Sequence, residues 1–141
     1  MFDKTYEHRL AAWVAVRDSL EQSKDPIQDV IDIYNTAPRV SIHIDPWDQK
    51  SWPGPWELIL ENQYCEFACV LGMCYSLQLT DRFKGSDFEI HISIDYNESA
   101  TYYLLYVDDY VVGYRDGTYI TRDDLPSKLI IQKQYCMSNM Q

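Results

Sequence analysis

The hydrophobic period of this chain changes once, near residue 87, and that change limits the folds open to it. Before it, apolar residues recur every three or four positions, and Phe2, Tyr6, Leu10, Trp13, Val14 and Leu20 fall largely on one helical stripe. After it, FEIHISID sets Phe88, Ile90, Ile92 and Ile94 against Glu89, His91, Ser93 and Asp95, the alternation of a half-buried strand. Helices first and antiparallel strands afterwards imply an α+β fold, with N-terminal helices packed on a C-terminal antiparallel sheet of about four or five strands. We expect one domain over 1–141, mainly helical in 1–80 and mainly strands in 87–135.

Local signals place the element ends. Asp3 is positioned to cap the first helix, and Asp25, Pro26 and Gln28 make an N-cap, N1 and N3 for the second, which Pro38 ends. Val40, Ile42 and Ile44 alternate like a short strand inside an extended loop. Gly54 and Pro55 open a short helix with Glu57 in its first turn, and Asn62 is a candidate N-cap for the longest helix. Trp52, Pro55, Trp56 and Glu57 read as structural residues that set and brace these starts. Arg-Asp-Gly-Thr at 115–118 is a hairpin turn between strands.

Composition excludes several functions. The longest apolar runs are far shorter than the ~20 residues needed to cross a bilayer, and the N-terminus lacks a signal peptide's apolar segment. A cytoplasmic setting without a membrane partner follows as the expectation. Net charge is −10. Residues 87–124 hold nine acids against Arg115 and Arg122, a net of −7, which disfavours direct nucleic-acid binding. Such a face either stays solvated or docks on another protein with a basic surface. The cysteines at 65, 69 and 74 are spaced C-x3-C-x4-C with no histidine close in sequence, so neither a metal centre nor a cofactor is expected.

With Asn62 as cap, Cys65 sits at N3 of the longest helix, where free N–H groups and the helix dipole stabilise a thiolate. A nucleophile also needs a base and a residue to orient it. The order Asn35, then Trp52-Pro53-Gly54-Pro55-Trp56-Glu57, then Asn62-Gln63-Tyr64-Cys65-Glu66 resembles bacterial transglutaminase-like cysteine peptidases, relatives of the papain-like fold. That resemblance covers roughly residues 30–117. It implies Cys65 as nucleophile, a histidine on the second strand and an aspartate after it. The histidine's place falls near Tyr102, and Asp116 is the aspartate on offer. His91 on the preceding strand or His43 in the loop would have to supply the base. On its own strand, His91 reads as a solvent-facing or hydrogen-bonded residue. The resemblance therefore implies a scaffold that has lost its catalysis. The Trp/Pro-rich middle and acidic aromatic hairpins also look like small proteins of marine tailed bacteriophages, which implies a setting in a phage particle or a bacterial host.

Six tyrosines crowd the hairpins, and Tyr102, Tyr106, Asp108, Asp109, Tyr110 and Tyr114 are the candidate partner-binding residues. The bland reading is a sheet core with hydroxyls at its rim. Three functions stay open. They are a non-catalytic protein-binding or structural module, a cysteine hydrolase or acyltransferase built on Cys65, and an acidic decoy of nucleic acid. Oligomeric state and partner identity do not follow from the residues.

Overall fold

The computed structural model describes residues 1–137. Four helices come first: α1 (Tyr6–Gln22), α2 (Pro26–Tyr34), α3 (Pro55–Glu61) and α4 (Glu66–Gln78). Five strands follow: β1 (Phe88–Asp95), β2 (Ala100–Val107), β3 (Tyr110–Val112), β4 (Tyr119–Thr121) and β5 (Ile130–Met137). They pair antiparallel in one sheet of order β4-β3-β2-β1-β5. The change of period thus marks a real change of architecture, and the fold is α+β.

Two helix starts form as their local chemistry requires. The Gln28 N–H donates to the Asp25 side chain at 3.3 Å, with Pro26 in the first turn. The Gly54 N–H donates to Glu57 Oε1 at 3.1 Å. Three other expectations fail. Thr5, not Asp3, is the N-cap of α1, so Phe2 lies outside the helix and packs edge-on against Tyr34 and Tyr64. Asn62 does not start α4; it ends α3 in the left-handed conformation (φ 52°), which Asn tolerates better than most side chains. Its Nδ2 donates to the Phe2 carbonyl at 2.9 Å. The alternating Val40, Ile42 and Ile44 form no strand: among the described residues the β pairing of that loop is an isolated bridge, Arg39 with Tyr64, and Ile42 is 88 % exposed.

Helix α4 is the centre of the molecule. Every residue from Phe67 to Gln78 is buried, so it carries no single apolar stripe but is enclosed on all sides. Gly72 is needed there because a Cβ would come within 2.3 Å of the Tyr34 ring on α2. One turn on, Ser76 Oγ accepts from Trp13 Nε1 at 2.9 Å and donates to the Gly72 carbonyl at 2.7 Å. Tyr34 hydroxyl lies 3.1 Å from the same oxygen.

The sheet is buried on both faces. Phe88, Ile90, Ile92, Leu105 and Val107 join the main core against the helices. On the opposite face Leu104, Tyr106 and Val111 form a second core, covered by Tyr102, Tyr114, Ile120, Leu125 and Leu129. The chain after β3 therefore folds back over its own sheet. For that reason β1 is not half-buried: His91, Ser93 and Asp95 are all within 3 % exposure.

The returning segment is latched by Lys128, whose Nζ lies 3.0 Å from Asp95 Oδ2. Asp95 Oδ1 also accepts from the Asn97 and Glu98 N–H groups. The Lys128 bond, followed by the backbone donors, holds the Asp95 carboxyl below the ordinary carboxylate range against the opposing effect of burial. A carboxyl depressed on folding adds stability that is complete above its unfolded pKa and lost as pH falls through the folded one. Asp95→Asn should therefore lower the thermal midpoint at pH 7. The gap from the parent protein should close below about pH 4, which paired melts across pH would read directly.

Candidate functional site

The site begins where the start of α4 faces β2. Because Asn62 terminates α3, the N-cap of α4 is Cys65 itself, with φ −72° and ψ 174°, not the N3 position expected from the sequence. Its carbonyl accepts the Cys69 N–H at 3.2 Å, and its side chain makes no capping hydrogen bond. The residue is 4 % exposed.

Across from it stands Tyr103. In the antiparallel register Tyr103 pairs with Ile92, whose side chain belongs to the helix-side core, and its ring meets Phe67 edge-on at 5.3 Å. Burial raises the Tyr103 phenol above its ordinary value, and Glu66, Cys65 and Asp45 push the same way. A phenol kept neutral in this way has little capacity to accept a proton. Tyr102, where the resemblance placed the histidine, faces the other core instead, stacked on Tyr114 at 5.1 Å. The period of two puts neighbours on opposite faces, and only the pairing register decides which faces inward.

None of the three histidines hydrogen-bonds Cys65. His8 is exposed on α1. His43 Nε2 lies 3.2 Å from Glu61 Oε1. His91 is on the sheet face away from the helices, with Nε2 2.9 Å from Glu89 Oε1 and its ring 3.9 Å from that of Tyr106. A sheet therefore separates His91 from Cys65. Asp116 is exposed in the β3–β4 turn and reaches the same groove as Tyr103 without a histidine to orient.

That groove, a cavity of about 130 Å³, lies between α2, α4, β2 and the β3–β4 turn. Arg39, Cys69, Tyr103, Arg115 and Asp116 are on its walls, and Cys65 is not. The thiol on its wall is that of Cys69, which burial pushes up to about 11 against the opposing pull of Arg39. Sequence reasoning passed over Cys69, Arg39 and Arg115. The one available signal was helical: Cys69 follows Cys65 by four residues and so shares its side of α4.

The candidate partner-binding residues divide. Tyr106 is 5 % exposed, held between His91 and the guanidinium of Arg122, 4.6 Å from its centroid, so it offers no surface. Tyr102 and Tyr114 are half-buried. Asp108, Asp109 and Tyr110 remain exposed at the β2–β3 hairpin, Asp108 in the left-handed region at φ 52°. Trp52 braces the core against Phe67 and Tyr135, whereas Trp56 lies half-exposed with its ring against Trp13. Among the described residues, no group of three or more His, Cys, Asp or Glu is placed to hold a metal ion, and no helix is long and apolar enough to cross a membrane.

All four cysteines are free, and among them only Cys136 is exposed. Iodoacetamide on the folded protein at pH 7 should therefore modify Cys136 alone, with Cys65, Cys69 and Cys74 reacting after unfolding. Peptide mass mapping checks this, and Cys65 labelling as fast as Cys136 would mean an open, activated thiol.

No protein-family model matches the sequence, and no curated protein matches it. Among solved structures the chain is similar to calcium-bound LapG of Legionella pneumophila, with a TM-score of 0.68 and 12 % identity. The match covers 94 % of this chain and 77 % of that one. At that identity the likeness shows the fold alone: helices packed with a five-stranded antiparallel sheet in a transglutaminase-like layout.

Proposed function

We propose that this chain is a catalytically silent transglutaminase-like scaffold that works as a protein-binding module. The observation that carries the reading is Tyr103: the strand position facing the start of α4 holds a neutral phenol where thiol chemistry needs a base. Burial of Cys65 and the engagement of His43 and His91 with carboxylates elsewhere support it.

The charge distribution supports a basic partner. Of the nine acids in 87–124, Asp87, Asp108, Asp109, Asp123 and Asp124 lie at one end of the sheet, where β1 begins and the β2–β3 hairpin turns. Hydrogen bonds knit that end together: the Asp87 N–H donates to the Asp108 side chain at 2.8 Å and the Arg122 N–H to the Asp109 carbonyl at 2.8 Å. Asp95 and Glu98 sit at the opposite end, so the carboxylates do not run in the continuous row that a nucleic-acid decoy requires. Exposed Tyr110, edge-on to Tyr119 at 5.3 Å, supplies an aromatic anchor beside the acidic end. The phage resemblance would place the partner in a virion or in the bacterial cytoplasm.

Affinity capture from the native host tests the reading. A partner should be retained equally by the parent protein and by Cys65→Ala, and should wash off as salt rises. Tyr110→Ala should cost about 2 kcal/mol, roughly thirty-fold in Kd. Capture that depends on Cys65, or a partner cleaved only when Cys65 is present, would favour the hydrolase instead.

A further inference from the structure

The groove beside α4 holds two arginines that keep hydrogen-bonding capacity in reserve, Arg39 in part and Arg115 in full. Arg39 is fixed rather than free to swing: its Nη1 donates to the Tyr34 carbonyl at 3.2 Å and to the Ala37 carbonyl at 2.9 Å. Its backbone is held too, through the bridge to Tyr64, directly before Cys65. Both Nη1 hydrogens are then used, and the Nε–Nη2 edge, the side of a guanidinium that grips a carboxylate with two parallel bonds, has no partner among the described residues. Arg39 also acts on the Cys69 thiol, which places its charge at the groove wall. Arg115, on the β3–β4 turn, has no hydrogen bond or ion pair among the described residues. The turn that carries it is tethered to α2. Gln28 Nε2 donates to the Gly117 carbonyl at 2.7 Å, and Tyr119 hydroxyl donates to Asp25 Oδ1 at 2.9 Å.

The remaining walls fit the rest of a small ligand. Ile31, Val70, Met73 and Val112 give an apolar floor. A cavity of about 130 Å³ is near the ~150 Å³ that accepts a benzene ring, the scale of one large apolar side chain. Glu66 and Asp116 line the same groove yet lie outside ion-pair reach of either arginine. Unpaired acids beside unpaired guanidinium groups repel a second anion and receive an ammonium or amide N–H.

From this geometry we propose that the groove binds the α-carboxylate of an apolar amino-acid residue, free or at the C-terminus of a polypeptide. The carboxylate lies on the open edge of Arg39 with Arg115 beside it, and the side chain fills the floor. The groove lies apart from the acidic end of the sheet, so this ligand goes beyond the protein-binding reading and does not depend on it.

Titrating the full chain by isothermal calorimetry and amide NMR with N-acetyl-leucine, its carboxamide, free leucine and a leucine-ended tripeptide tests the proposal. N-acetyl-leucine should saturate in the millimolar range and shift resonances of Arg39, Tyr103 and the 115–118 turn. The carboxamide should bind about tenfold more weakly, since it lacks the charge for the arginines. Arg115→Gln should weaken the acid several-fold while the thermal midpoint is unchanged, because that side chain holds nothing in place. Arg39→Lys, which keeps the charge but loses the fork, should weaken it as well. Free leucine tighter than N-acetyl-leucine marks a free amino acid as the source, and the tripeptide tightest marks a chain end. Equal binding of acid and amide, no binding to the folded protein, or indifference to Arg115→Gln would overturn the proposal. Acid binding alongside a reactive Cys65 would instead overturn catalytic silence and leave this site standing.

Discussion

A single buried hydroxyl ties the helical layer together. Ser76 on α4 takes the indole N–H of Trp13 from α1, meets the Tyr34 hydroxyl from α2, and returns its own proton to the Gly72 carbonyl. Buried polar atoms are costly unless paired, so these partners fix the mutual positions of three helices more narrowly than apolar contact would. Tyr34 reaches Ser76 only because Gly72 leaves room for its ring. Once α4 is set, its N-cap is set with it, and Cys65 is held against β2 whether or not it has chemistry to perform.

The second constraint is the sheet's double burial. An antiparallel sheet with helices on one side commonly leaves the other face to solvent. Here the segment after β3 covers that face, closed by Lys128 on Asp95, and the tyrosines of β2 are shared between two cores. Tyr103 goes to the helices and Tyr106 to the outer layer, where His91 and Arg122 flank its ring. What stays exposed is the hairpin end, where Tyr110 and the aspartates emerge.

Much of the fold was legible because its signals are local. Asp25 with Gln28 and Gly54 with Glu57 are four-residue devices that work wherever they occur, and the alternation in β1 announces a strand without help. Asn62 misled because the same residue caps a helix start or ends one in the left-handed conformation, and the choice depends on how sharply the chain turns from α3 into α4. The site was less legible still. Whether Tyr102 or Tyr103 faces Cys65 depends on register against β1, which no residue of β2 reports by itself. Likewise the burial of His91 comes from residues far along the chain. Arg39, Cys69 and Arg115 converge from a loop, a helix and a turn, and no spacing in the sequence records that meeting.

We propose that Cys65, at the start of α4 opposite a neutral phenol, has no base placed to activate it. An acyl-enzyme burst measures this most directly, since a working thiol nucleophile releases one leaving group per site before turnover. Stopped-flow mixing of the parent protein and Cys65→Ala with p-nitrophenyl acetate at pH 7 should give the same slow release from both. A stoichiometric burst from the parent protein that vanishes in Cys65→Ala would show a working nucleophile and contradict catalytic silence.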